Sequence, residues 1–154
     1  MLNEYPDARF VQTHRDPLKM LASLTSLVTH LRKMASDEVD PQAIALEWAQ
    51  WNALGLNASA EFRASGRIPA DRVIDIDFYA FMEDPLAQIH QLYEAFGFDL
   101  DADTRTAMAN YLAVHNAQQH GAHRYDFADT GLDYATERAR VAPYQSQFAT
   151  RQEF

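Results

Sequence analysis

The chain has 154 residues, with 47% apolar and 12% aromatic side chains, 22 Asp and Glu against 13 Lys and Arg, six His and no Cys. This length and apolar content predict one folded domain with its own core rather than a disordered chain. The formal net charge of −9 argues against a binder of nucleic acid or of anionic membranes, because both partners require a broad basic surface. The lack of cysteine excludes disulfides, thiolate zinc sites and a cysteine nucleophile.

No stretch of the sequence is apolar enough to predict a membrane span, and the opening residues lack the basic and apolar regions of a signal peptide. We therefore expect a cytoplasmic protein. The charge is unevenly spread, since residues 1–33 carry five Lys and Arg against three Asp and Glu, and the remaining chain carries eight against nineteen. A basic opening segment is suited to holding an anion, although chance clustering in a short window is the alternative.

The first half of the chain predicts a strand followed by two helices. Residues 8–14 are typical of a short strand, with Phe10 and Val11 as the expected buried positions. The next residues, Arg15-Asp16-Pro17, predict a helix to about residue 34, because Asp16 can cap the free N–H groups and proline is favoured in the first turn. A second Asp-Pro pair at 40–41 starts the next helix. The apolar stripes of these two helices predict a core that includes Met20, Leu21, Leu24, Leu27, Val28, Leu31, Ile44, Trp48, Trp51 and Phe62.

The second half predicts one further strand and three helices. The strand covers Val73–Phe78, with Asp75 and Asp77 on its polar face. Helices are expected from Asp84-Pro85 to Gly97, over about 103–119, and over 132–148, with a loop at 120–131 between the last two. Two strands are too few for a sheet that five helices must cover, so the pattern indicates part of a larger α/β fold.

The junction between the first strand and helix is the best candidate for a binding site. Arg15 lies between the end of the predicted strand and the start of the predicted helix. Open α/β sheets bind ligands at this carboxyl edge of their strands. A polar stripe follows at helical spacing, formed by Lys19, Ser23, Ser26, His30 and Lys33. A forked Arg donor and a hydroxyl on this stripe form a plausible phosphate clamp. The alternative is an ordinary amphipathic helix with Ser and Lys on its solvent face.

Residues 5–24, YPDARFVQTHRDPLKMLASL, resemble the 3′-phosphate-binding segment of sulfotransferases that use 3′-phosphoadenosine 5′-phosphosulfate (PAPS), in particular the bacterial-type branch. In that family a Ser follows eight residues after the Arg, as Ser23 follows Arg15. The resemblance implies that Arg15 and Ser23 contact the 3′-phosphate of the cosubstrate. Lys19 and Ser26 are further candidates on the same stripe. Segments 73–85, 123–132 and 143–148 also resemble the family, in the right order.

The resemblance implies an α/β fold: the C-terminal, mostly helical part of a P-loop nucleotide-kinase-like three-layer sandwich with few strands. It makes residues 1–154 a partial sulfotransferase domain, with the 3′-phosphate-binding strand–helix junction at 8–34. The implied reaction is transfer of a sulfuryl group from PAPS to a hydroxyl or amine acceptor. None of the five glycines lies in the glycine-rich loop that cradles the 5′-phosphosulfate in the family. We therefore expect the chain to be inactive without an N-terminal half, and the sequence names no catalytic base.

Two alternatives, a non-catalytic module and a zinc site, stand beside the enzyme. The chain is instead a non-catalytic helical interaction module or remnant that self-associates, if the apolar side of its first strand pairs with a second copy. The partners expected for the enzyme are a nucleotide cosubstrate and an unidentified acceptor, and the expected protein partner is either a second copy of the chain or the missing N-terminal half in trans. His115, His120 and His123 suggest zinc, but their spacing is poor for a shared helical site, so we predict no metal. His14 is expected to end the first strand with its ring partly exposed.

Overall fold

The computed structural model describes residues 3–115 and 125–154. Within these ranges the chain divides into two compact units, which are treated separately below. One unit contains residues 3–14 and 68–115, and the other contains residues 15–67 and 125–154. No helix in the described ranges is long and apolar enough to cross a membrane.

The first unit contains a two-stranded parallel sheet. Strand β1 spans Phe10–His14 and strand β2 spans Val73–Asp77, with Phe10 opposite Val73 and His14 opposite Asp77. Both strands were expected, but β1 begins two residues later than predicted. The prediction that Phe10 and Val11 are both buried is wrong, because Val11 is 46% exposed. Adjacent strand residues point to opposite faces, and the inward face of β1 carries Phe10, Gln12 and His14.

Three helices follow β2 in the same unit. Helix α3 spans Phe78–Glu83, and the Asp77 carboxylate caps it by accepting hydrogen bonds from the N–H groups of Tyr79 and Ala80. Helix α4 spans Pro85–Phe96 and ends, as predicted, at Gly97, whose φ of 69° is left-handed. Helix α5 spans Ala102–Val114.

The second unit is built around two packed helices. Helix α1 spans Pro17–Lys33 and helix α2 spans Pro41–Ala64, and each starts at the Asp-Pro pair that predicted it. Their core contains Leu18 and Leu21 from α1, while the buried face of α2 consists mostly of small residues: Ala45, Ala49, Ala53 and Ala60. Short side chains let two helix backbones approach closely, so the alanine face of α2 packs inward. The larger Trp51 is therefore 62% exposed rather than in the core, and Met20, Leu27, Leu31 and Phe62 are exposed as well.

The predicted last helix is in fact two helices. Helix α6 spans Tyr134–Arg140 and helix α7 spans Ala142–Phe148. Pro143 lies in the first turn of α7, where its missing N–H costs nothing, whereas it would break a continuous helix. A short 3-10 helix at Phe127–Thr130 packs against α1 from residues predicted as a loop. Residues 120–124 of that predicted loop lie outside the described residues.

Candidate functional site

The candidate site is the start of α1 in the second unit. Asp16 is the N-cap of α1, and its carboxylate accepts a hydrogen bond from the Leu18 N–H at 3.0 Å. Pro17 occupies the first turn, where its missing N–H leaves no unsatisfied donor. The helix continues for 17 residues, so its amino end carries a full set of aligned peptide dipoles and a partial positive charge. This end of a helix favours anions.

Asp16 is the best-connected side chain of this site. It is fully buried and accepts hydrogen bonds from four donors: Leu18 N, Glu153 N at 2.7 Å, and Arg138 Nη1 and Nη2 at 2.6 and 3.0 Å. Burial raises the pKa of Asp16, but the hydrogen bonds from Arg138, Glu153 and Leu18 outweigh this effect and leave the pKa below its ordinary value. Asp16 is therefore a buried carboxylate, fixed in its charged form.

Arg138 on α6 is the charged partner of Asp16. Its side chain is 14% exposed, and besides the two contacts with Asp16 it donates to the Tyr134 hydroxyl at 2.9 Å. Burial lowers the pKa of Arg138, but the hydrogen bonds and charge of its partners raise it above its ordinary value. The pKa values of both partners thus shift towards the charged pair. The guanidinium of Arg138 is committed to holding the amino end of α1.

Arg15, the first predicted site residue, is three-quarters buried. Its Nε and Nη2 donate to the two carboxylate oxygens of Glu153 at 2.8 and 3.1 Å, a forked ion pair in which the Glu153 side chain is 9% exposed. Such two-point pairing fixes the plane of a guanidinium as well as its position. The structure therefore holds Arg15 in one orientation.

Lys19, Ser23 and Ser26 lie on α1 at spacings of four and three, so they follow one another along one stripe of the helix. All three are half-buried. The Lys19 ammonium lies 4.4 Å from the ring centre of Phe154 and 4.8 Å from that of Tyr125, which gives it two cation–π contacts. His30 and Lys33, at the far end of the stripe, are exposed.

Other candidate residues have separate roles. In the first unit His14 is buried, and its Nε2 lies 2.9 Å from the Asp75 carboxylate, so the expectation of a partly exposed ring is wrong. A buried imidazole needs such a partner, and the neighbouring strand supplies it at the polar position of β2. His115 is exposed and stacks on Tyr111 with ring centres 4.2 Å apart.

The zinc alternative rests on three His residues, of which the structure describes one. His120 and His123 lie outside the described residues. Across the two described ranges no three His, Asp or Glu side chains are grouped as metal ligands. That the chain binds no metal stays a prediction.

Sequence reasoning missed the two residues that hold the site together, Arg138 and Glu153. Arg138 is 122 residues from Asp16, and Glu153 is 138 residues from Arg15. Neither belongs to a local pattern, because an ion pair across this separation leaves no periodic signal in one sequence. The residual signal for Asp16 was its capping position, which predicted one of its four hydrogen bonds.

Taken together, the site contains three cations, Arg15, Lys19 and Arg138, and two carboxylates, Asp16 and Glu153. Asp16 and Arg138 neutralise each other in the interior. Arg15 and Lys19 lie at the start of the stripe that continues to Ser23. A planar forked donor, an ammonium, a hydroxyl and the amino end of a helix are all groups that can bind an anion.

Comparisons with known proteins agree on one family. The model of the sulfotransferase family matches residues 1–102 of the chain. Among solved structures, sulfotransferase STF9 from Mycobacterium avium matches with a TM-score of 0.79 and 25% identity, over 99% of this chain and 39% of that one. Sulfotransferase STF1 from Mycobacterium tuberculosis H37Rv matches with a TM-score of 0.74 and 28% identity, over 92% of this chain and 35% of that one.

The chain thus spans little more than a third of the length of the solved sulfotransferases it matches. No curated protein sequence matches it significantly. The structural matches confirm the predicted fold class, the mostly helical part of an α/β fold with few strands. Two parallel strands lie within the described residues.

Proposed function

Because this chain belongs to the sulfotransferase family, we propose that it forms the 3′-phosphate clamp of a PAPS-dependent sulfotransferase. In this proposal Arg15 and Ser23 bind the 3′-phosphate, and Lys19 and Ser26 assist from the same stripe of α1. The observation that carries the proposal is the position of Arg15. Its guanidinium is fixed by a forked ion pair directly before the amino end of a 17-residue helix, where an anion is favoured electrostatically.

The residue types fit a nucleotide phosphate. A guanidinium offers five N–H donors in one plane, which match the oxygens of a phosphate. The Ser23 hydroxyl adds a neutral donor two helical turns further along, on the side of α1 that also carries Lys19. The basic balance of residues 1–33 supports an anionic ligand in a chain that is acidic elsewhere.

In the reaction proposed for the whole protein, an acceptor oxygen or nitrogen forms a bond to the sulfur of PAPS while the bond from sulfur to the bridging phosphate oxygen breaks. The acceptor loses its proton, and adenosine 3′,5′-bisphosphate leaves. The residues of this chain would contribute positioning: a clamp on the 3′-phosphate fixes the nucleotide at a point away from the reacting sulfur. Binding energy at such a remote group orients the reacting atoms.

The proposal is tested by calorimetric titration of the chain with adenosine 3′,5′-bisphosphate, with adenosine 5′-monophosphate as the ligand that lacks the 3′-phosphate. We expect the bisphosphate to bind more tightly. The Arg15→Ala substitution removes a charge-assisted contact of about 1.5–3 kcal/mol, which weakens binding about 10- to 100-fold. Ser23→Ala removes a hydroxyl contact of about 0.5–1.5 kcal/mol and weakens binding about 2- to 10-fold.

The matched control is Arg32→Ala. Arg32 lies on the same helix, at its opposite end, and pairs with Glu47 at 3.1 Å with both side chains half exposed. Its removal should leave nucleotide affinity unchanged. Equal affinity for the two nucleotides, or equal losses in the Arg15 and Arg32 variants, would contradict the clamp. A folded chain that binds neither nucleotide and sediments as a dimer would favour the self-associating module instead.

A further inference from the structure

We propose that Glu153 is a positioning residue for Arg15, which orients the guanidinium so that it can receive the phosphate. This inference rests on the proposed function, because it assumes that Arg15 is the phosphate ligand. Glu153 touches no reacting atom in this proposal and acts only through Arg15. It would therefore set the affinity and selectivity for the 3′-phosphate without taking part in sulfuryl transfer.

Glu153 forms hydrogen bonds with two adjacent residues of the junction, Arg15 and Asp16. Its carboxylate receives both hydrogen bonds of the Arg15 fork, at 2.8 and 3.1 Å. Its backbone N–H donates to the carboxylate of Asp16 at 2.7 Å. Because Asp16 also caps α1 and is itself held by Arg138, the backbone of Glu153 is tied to the buried cap of α1. A carboxylate mounted on such a fixed backbone determines where the Arg15 guanidinium lies.

The residue after Glu153 anchors the segment further. The Phe154 carbonyl oxygen accepts a hydrogen bond from the Tyr134 hydroxyl at 2.9 Å. The Phe154 ring lies 6.2 Å from the ring of Phe127 and 4.4 Å from the Lys19 ammonium. Tyr134 is in turn bonded to Arg138. These contacts join residues 153–154 to Arg15, Asp16 and Lys19, so the segment belongs to the built site.

The geometry of the fork favours positioning over competition with the phosphate. Glu153 receives one hydrogen bond from Nε and one from Nη2 of Arg15. A guanidinium has five N–H donors, so one carboxylate on the Nε edge does not exhaust its capacity to bind an anion. An arginine with four rotatable side-chain bonds otherwise loses that freedom only when the ligand binds, which weakens binding. Glu153 removes this cost in advance.

The test compares Glu153→Ala and Glu153→Gln with the wild-type chain, using both nucleotides in calorimetric titrations. We expect Glu153→Ala to weaken binding of adenosine 3′,5′-bisphosphate by about 3- to 10-fold, the cost of ordering one long side chain. Glu153→Gln keeps an acceptor oxygen and should recover most of this loss. Binding of adenosine 5′-monophosphate should change little in either variant. The matched control is Glu47→Ala, which removes the exposed partner of Arg32.

A second readout needs no nucleotide. In 15N-labelled protein the Arg15 Nε–H should give a slowly exchanging NMR signal, assigned by its loss in Arg15→Lys, and Glu153→Ala should broaden or remove it. Tighter bisphosphate binding in Glu153→Ala would overturn the inference, since it would make the carboxylate a competitor. Equal losses for both nucleotides would overturn it as well, since they indicate general disruption of the fold.

The two readouts separate this inference from the proposed function. If the wild-type chain binds neither nucleotide while the Arg15 signal is protected, the clamp itself is refuted, and the role of Glu153 in phosphate binding falls with it. If the wild-type chain binds the bisphosphate selectively but the Arg15 signal is unprotected and Glu153→Ala has no effect, the clamp stands and the positioning role is refuted.

Discussion

Removal of the Asp16 carboxylate should destabilise this chain more than removal of any ordinary helix cap. Asp16→Ala deletes the cap of α1, releases the N–H of Glu153 and leaves the Arg138 guanidinium without its charged partner. The Arg138 side chain is only 14% exposed, so water cannot fully replace the lost carboxylate. The cost is therefore that of breaking a buried ion pair as well as that of uncapping a helix.

The two contributions differ in size. Loss of an N-cap costs about 0.5–2 kcal/mol, typically about 1 kcal/mol. Removal of one partner of a buried ion pair costs about 3–5 kcal/mol, because the other charge stays buried. The two contributions share the same carboxylate and are not added in full. Since Arg138 keeps some contact with solvent, we expect a loss at the lower end, about 3 kcal/mol for Asp16→Ala.

The assay is urea denaturation followed by circular dichroism, and the matched control is Asp40→Ala. Asp40 caps α2 through the N–H groups of Gln42 and Ala43, also before a proline, but it is exposed. This control should cost about 1 kcal/mol. Arg138→Met, which removes the opposite charge, provides a second variant if Asp16→Ala does not fold. The variant with both Asp16→Ala and Arg138→Met should lose less stability than the sum of the two single losses, by at least about 1 kcal/mol.

Two results would refute this reasoning. If Asp16→Ala costs no more than Asp40→Ala, the ion pair with Arg138 contributes nothing beyond the cap. If the losses in the double variant are additive, Asp16 and Arg138 are not coupled in the folded chain. Either result would also count against the argument that Asp16 fixes the backbone of Glu153 and, through it, the orientation of Arg15.

Two further predictions concern pH and the backbone. Because the pKa of folded Asp16 lies below the ordinary value of 3.8, the contribution of Asp16 to stability should be fully present above that pH and should disappear as the pH falls through the folded pKa. The difference in urea midpoint between wild type and Asp16→Ala should therefore shrink between pH 7 and pH 2. A constant difference would contradict this prediction. Gly97→Ala should destabilise the chain by about 1 kcal/mol, because φ is 69° at this position. Gly55→Ala should stabilise it by about 0.5–1 kcal/mol, because Gly55 lies inside α2 with open space around an added Cβ. The midpoints of thermal unfolding should therefore shift in opposite directions, and shifts of the same sign would refute the argument from backbone conformation.

Local signals in the sequence predicted the starts of three helices and the end of one. Three Asp-Pro pairs predicted the starts of α1, α2 and α4, and Gly97 predicted the end of α4. Capping, the fixed φ of proline and the left-handed freedom of glycine act within a few residues, so one sequence is enough to read them. The polar stripe of α1 was predictable in the same way, from its spacing alone.

Which face of an element is buried was less predictable. The stripe of large apolar residues on α2 led to the prediction that Trp51 lies in the core, yet the alanine face packs inward and Trp51 is 62% exposed. In β1 the prediction placed the adjacent residues Phe10 and Val11 inside, but the inward face carries Phe10 and His14, and Val11 is exposed. A helix or strand specifies its faces by its own periodicity, while the element packed against it decides which face is covered.

The sequence by itself determined the strand–helix junction, with Arg15 before the capped start of α1 and Ser23 on its polar stripe, and its resemblance to the sulfotransferases. The anion site at this junction is a prediction from both. Only the tertiary structure decided what holds that junction: Arg138 on Asp16 and Glu153 on Arg15, from 122 and 138 residues away. The physical reason is the range of the interactions. Caps and periodicity are set by neighbours along the chain, whereas an ion pair forms wherever folding brings two opposite charges within hydrogen-bond distance. The spacing of residues in the sequence does not indicate which distant charges will pair.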